Sequence, residues 1–175
     1  MVATGSYEPA IRAMDREHCT ASWRGVFFNV WDGDCTAVAA DGIARTFHEM
    51  LSEFPDGVVI LGVSRPGVAL VPKPEVRERL AGMFKDHRGG LRGVASAILG
   101  DGFAAAAKRS VMTTIALMAR QPAPLKIFEA RRPAAAWVAE RFTAGPSSNE
   151  ILDVLGTLEH RFDRFLREQG SPSPA

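Results

Sequence analysis

Apolar residues recur along this chain in two rhythms, and each rhythm predicts a different element. Val26–Trp31 alternates, with Val26, Phe28 and Val30 on one face and Phe27, Asn29 and Trp31 on the other. His18–Ser22 lies close enough upstream to form a hairpin with it, turning at Trp23-Arg24-Gly25. Val58–Val63 is apolar towards both faces, which predicts a central strand covered on both sides. Val94–Leu99 and Leu125–Phe128 predict two further strands. Helical spacing fills the intervals. Thr36 can cap a helix whose stripe is Ile43, Phe47, Met50, Leu51 and Phe54, stopped by Pro55-Asp56-Gly57. Pro74 suits the first position of a second helix, with Val76, Leu80, Met83, Phe84 and His87 inward and Gly89-Gly90 at its end. On its surface Glu75 and Arg79 are spaced to pair. Two more helices follow over 103–120 and 132–142, the second turning Ala136, Trp137 and Phe142 inward. A last helix, from Asn149 to Glu168, repeats Ile151, Leu155, Leu158, Phe162 and Phe165 in alternating steps of four and three. That is an a/d seam. It fits packing on the chain's own domain, and it fits pairing with a second copy or a partner helix.

Strands alternating with helices imply right-handed crossovers and a parallel sheet, while the early hairpin adds an antiparallel edge. The expected fold is therefore α/β: a four- to five-stranded mixed, mainly parallel sheet flanked by helices, with an extra C-terminal helix. Residues 1–15 read as a loose lead-in, 16–145 as the α/β domain, 146–169 as the final helix and 170–175 as a flexible tail.

Composition narrows the functional classes. At 175 residues with 46% hydrophobic and 23% charged positions, the chain suits one globular domain rather than a disordered one. A net charge of +1 provides no basic excess for nucleic acid. Apolar runs such as Val58–Val63 and Ile115–Ala119 fall far short of the ~20 residues of a membrane-spanning helix. Met1–Ala10 lacks the basic-then-apolar pattern of a signal peptide. The expected location is the cytoplasm, with Cys19 and Cys35 as reduced thiols.

Local motifs add a resemblance. Trp31-Asp32-Gly33 ends an early strand, Pro74-Glu75-Val76-Arg77 opens a helix, Gly102-Phe103 leads into an Ala-rich helix as far as Val111, and Ala136-Trp137 follows a short strand. With the element order, these make the chain resemble the SpoIIAA-like fold of STAS domains and anti-sigma-factor antagonists, in a STAS/SEC14-like bacterial branch. The resemblance implies a non-enzymatic protein-binding module in bacterial signalling or scaffolding, without a cofactor. It departs from the antagonists at one point. They carry an Asp-Ser phosphosite after the central strand, whereas here that strand runs into Ser64-Arg65-Pro66-Gly67.

Three functions follow as expectations. For a protein partner, the loop after the central strand offers Ser64, Arg65, Val68, Leu70 and Lys73, with Glu75 opening the next helix: an apolar loop with basic ends. The seam residues Ile151, Leu155, Leu158, Phe162 and Phe165 are the candidate homodimer surface. The SEC14-like alternative is a small-ligand or lipid carrier with an apolar pocket of ~300–1,000 Å³. The third is a Ser64 hydrolase, because Gly62-Val63-Ser64 follows a strand as a nucleophile elbow does, with His87 or His160 as the later base. No metal site is expected, since the histidines at 18, 48, 87 and 160 lack ligand spacing. Gly100-Asp101-Gly102 reads as a turn and helix cap rather than a phosphate loop.

Overall fold

The computed structural model describes residues 8–66, 72–86, 89–119 and 123–170. Six strands form one sheet in simple chain order: β1 (Ala10–Met14), β2 (His18–Trp23), β3 (Val26–Trp31), β4 (Val58–Ser64), β5 (Leu91–Ile98) and β6 (Leu125–Phe128). The first three pair antiparallel, and β3 to β6 pair parallel. Three helices cross between the parallel strands: α1 (Ala37–Glu53), α2 (Pro74–Asp86) and α3 (Phe103–Ala119). Two more follow: α4 (Arg131–Ala139) and α5 (Ser148–Gly170).

The order of strands decides the layers. Each crossover from β3 to β6 steps the same way along the sheet, so right-handed connections put α1, α2 and α3 on one face. Parallel strands need cover on both faces, and α4 with α5 supplies it on the other. The two cores follow the strand alternation. Phe28, Val30, Val59, Leu61 and Val63 pack with Trp137, Leu158 and Phe162 of α4 and α5. Phe27, Val58 and Ile60 pack with Phe47, Met50, Met83 and Phe84 of α1 and α2. Each large side chain fully buried in this way contributes about 1.5–3 kcal/mol over leaving it exposed.

The local signals act as their chemistry dictates. Arg24 and Gly25, with φ of 46° and 79°, make the two-residue turn of the β2–β3 hairpin, where positive φ at both positions matches the strand twist. The Thr36 hydroxyl accepts from the Ala39 N–H at 3.1 Å and caps α1. Ser147 and Glu150 cap α5 reciprocally: the Ser147 N–H donates to Glu150 Oε2 at 2.8 Å, and the Glu150 N–H donates to Ser147 Oγ at 3.3 Å.

Three details depart from the sequence expectations. The stretch read as a loose lead-in contains β1, an edge strand with a bulge between Ile11 and Ala13. It escaped the periodicity because its side chains are largely open to solvent, so no buried face imposed alternation. With it the sheet has six strands rather than four or five. Arg79, expected to pair with Glu75, instead reaches Asp41 on α1. Of the two readings of the α5 seam, the structure shows packing on the chain's own domain: Ile151, Leu155, Leu158 and Phe162 are buried in its core, and Phe165 packs partly buried against it. The flexible-tail reading falls on residues 171–175, outside the described residues, as does His87 of the expected α2 stripe.

Candidate functional site

A cleft opens between the sheet and the first helical layer, towards the C-terminal ends of the parallel strands. Its volume is about 130 Å³, below the ~300–1,000 Å³ expected for a small-ligand or lipid carrier. The cause lies in the helix layer. α2 packs chiefly against its neighbours α1 and α3, and these two approach the strands more closely than it does. The space beneath α2 is walled by Leu80, Met83 and Phe84 from above and by Val111 and Met112 of α3 at the side.

The floor comes from three adjacent strands in register. Asn29 of β3 pairs with Gly62 of β4, and Gly62 pairs with Ser96 of β5. Two residues further on, Trp31, Ser64 and Ile98 form the outer row. All lie on the face that alternation turns towards α1–α3. Trp31 is held in place by stacking on the buried His18 ring at 4.9 Å between centroids. His18 Nδ1 in turn donates to Asp15 Oδ1 at 3.0 Å.

Asn29 is the unusual member. It is 5% exposed, and its Oδ1 has no hydrogen-bond partner. Buried polar atoms are normally paired, because an unpaired one loses its bonds to water without replacement. Among the described residues three buried side-chain atoms share this state, and two lie in one row: Asn29 Oδ1 and Thr20 Oγ1, on cross-strand partners. Asn29 lines the cleft, although its oxygen is itself buried.

Gly62 is the second unusual member. Glycine inside a strand forfeits side-chain packing and often marks a close approach by another group. A Cβ built at Gly62 would meet only the Ala95 carbonyl oxygen, at 3.8 Å, which is ordinary contact. Crowding does not require glycine there; its effect is to leave the floor open between Asn29 and Ser96.

None of the described lining residues is charged. Cys35, at the rim before α1, keeps its proton: burial, with the nearby Asp34 charge, pushes the thiol from 9.0 up to about 12. It is thus a poor nucleophile at neutral pH. The cleft can accept a small apolar body and offer it an amide and hydroxyls, with no ionic anchor among the described residues.

The residues expected to act separate in space. Ser64 faces the cleft, where no histidine or carboxylate lines the described walls beside it. Exposed His160 is on α5, across the sheet, and His87 is outside the described residues. Arg65, expected in a partner surface, is engaged within the chain. Its guanidinium bonds Asp163 at 2.7 Å and Asp32 at 3.3 Å and lies over the Phe162 ring at 5.1 Å. Burial works against its charge, but Asp163 and Asp32 outweigh that and raise its pKa above the ordinary arginine value. Lys73 and Glu75 are exposed at the start of α2, and Val68 and Leu70 lie outside the described residues.

Sequence reading passed over Asn29, Gly62 and Ser96. The available signal was a polar or absent side chain interrupting each of three apolar strands, two positions before the last residue of each. Among the described residues, no cluster of His, Cys, Asp or Glu could hold a metal ion, and no helix is long and apolar enough to cross a membrane. The chain was compared with family models, with curated proteins and with solved structures, and none of them matches it.

Proposed function

We propose that this is a ligand-binding domain whose ligand, a small and mainly apolar molecule, sits between the sheet and α2. One observation carries the reading: Asn29, whose side-chain oxygen is buried without a hydrogen-bond partner, lines an apolar cleft. A polar atom kept unpaired in a core costs stability, and a binding function explains why the chain retains it. The cleft's position supports the same reading, since ligands of parallel α/β sheets gather outside the C-terminal ends of the strands. Titrating toluene into ¹⁵N-labelled protein tests it. Saturable amide shifts centred on Gly62, Ser64 and Ser96 are expected. A spectrum unmoved up to the solubility of toluene overturns the reading.

A protein-binding role in signalling or scaffolding, the one implied by the SpoIIAA-like resemblance, has separate support. Val38 and Phe103, 81% and 90% exposed, stand in the first turns of α1 and α3. Both turns follow strand C-termini, so the two side chains are at the mouth end of the sheet, with Lys73 and Glu75 at the start of α2 between them. Exposed large apolar side chains of this kind suit a partner surface. A photo-crosslinking residue at position 103 should trap one specific protein in the native cell, and a Val38→Asp substitution should abolish that adduct. Capture that persists unchanged in the variant counts against this role.

A further inference from the structure

We infer that the ligand is a neutral molecule of about phenol size, with one hydroxyl that pairs with the Asn29 side-chain amide while its apolar body lies over Gly62. This rests on the ligand-binding reading above and adds the ligand's charge, size and polar group.

Charge comes first. An ion entering this cleft would leave water for walls whose described residues offer no opposite charge, a transfer whose penalty far exceeds what neutral hydrogen bonds return. The described lining contains only Asn29, Ser64, Ser96, Trp31, Cys35 and backbone as hydrogen-bonding groups, among apolar side chains. The described lining therefore disfavours carboxylates, phosphates and ammonium ions.

Size follows from the space. The volume is about 130 Å³. An apolar cavity of about 150 Å³ is known to take up benzene, so one six-membered ring or a short branched chain fills this one. Gly62 fixes where that body rests. With no side chain at 62, the ring can lie against the backbone of β4, flanked by Ile60, Val94 and Met83.

The polar group is read from Asn29. Its amide carries an acceptor oxygen and a donor nitrogen, whose positions exchange on a half-turn of the amide. A hydroxyl both donates and accepts, so it satisfies either orientation. Thr20, the cross-strand neighbour of Asn29, does not line the cleft. Were its orphaned hydroxyl to turn towards the amide, it would occupy one of the two groups and leave the other facing the ligand. A ketone or ether would serve only the donor and a plain hydrocarbon neither. One hydroxyl is the least substitution that meets the site in every case.

Titration calorimetry of the full chain with phenol, toluene and benzoate tests this, alongside Asn29→Val and Gly62→Val. Wild type should prefer phenol to toluene by about tenfold, the worth of one net hydrogen bond, and should not bind benzoate. Asn29→Val should bring the phenol-to-toluene ratio close to one while keeping toluene affinity. Gly62→Val should keep the fold, since the strand gains a β-branched residue, and should lose both ligands because the side chain occupies their place. Equal affinity of wild type for phenol and toluene overturns the hydroxyl assignment and leaves the ligand-binding reading standing. Benzoate binding as tightly as phenol overturns the neutral class. If none of the three binds, and the Gly62 and Ser96 amides do not shift, the ligand-binding reading itself falls.

Discussion

Asn29 costs the fold stability for as long as its amide oxygen has no partner. Replacing it with valine removes the orphaned polar atom and suits a strand, so Asn29→Val should raise the unfolding free energy by about 1–2 kcal/mol in urea titrations. A loss of that size instead would mean the amide is paired in solution. Arg65 makes the opposite case. It joins the end of β4 to Asp163 and Phe162 of α5. Arg65→Ala should therefore lower stability by about 1–3 kcal/mol, read from the same titration. Cys35 gives a pH signature. A thiol raised from 9.0 to about 12 binds its proton more tightly in the fold than in the unfolded chain. Its contribution to stability is complete below 9 and fades as pH climbs towards 12. Iodoacetamide should accordingly modify native Cys35 much more slowly than the denatured chain at about pH 8. Equal rates would remove the shielding argument. Residue chemistry was partly legible: Thr36 as a cap and Gly57 as a stop are local decisions. The site was not, because the grouping of Asn29, Gly62 and Ser96 depends on strand register, which sits in tertiary pairing.

At the scale of elements, α5 was visible in the sequence as a seam, but not what the seam faces. A 4-3-4-3 repeat records that a helix buries one stripe and is silent on whether the partner is a sheet or another helix. Here Leu158 is fully buried in the core beneath α4 and α5. Leu158→Ala should lower stability by about 2–5 kcal/mol in thermal or chemical unfolding. A change under 1 kcal/mol would place this side chain outside the core. β1 lay beyond sequence reading for the reverse reason, since an exposed edge strand has no stripe to display. The raised position of α2 makes a dynamic prediction. With fewer approaches to the sheet, its amides should exchange with deuterium faster than those of α1, and saturating phenol should slow them.

For the whole molecule, the architecture follows from a few long-range consequences of local pattern. One doubly apolar strand, Val58–Val63, required cover on both faces. Right-handed crossovers then assigned α1–α3 to one face, and the remaining apolar helices, α4 and α5, took the other. The two layers differ in their fit. The α4–α5 side is filled by large side chains such as Trp137, Leu155 and Phe162. The α1–α3 side leaves a gap exactly where three strands lack an apolar side chain. That gap gives the molecule room for a second chemical species against the sheet. A crystal structure of the protein soaked with phenol measures this most directly. The account predicts ring density over Gly62 with the phenol oxygen at about 2.7–3.0 Å from the Asn29 amide. Side chains of α2 collapsed onto β4, with Asn29 bonded to protein and no room for the ring, would contradict it.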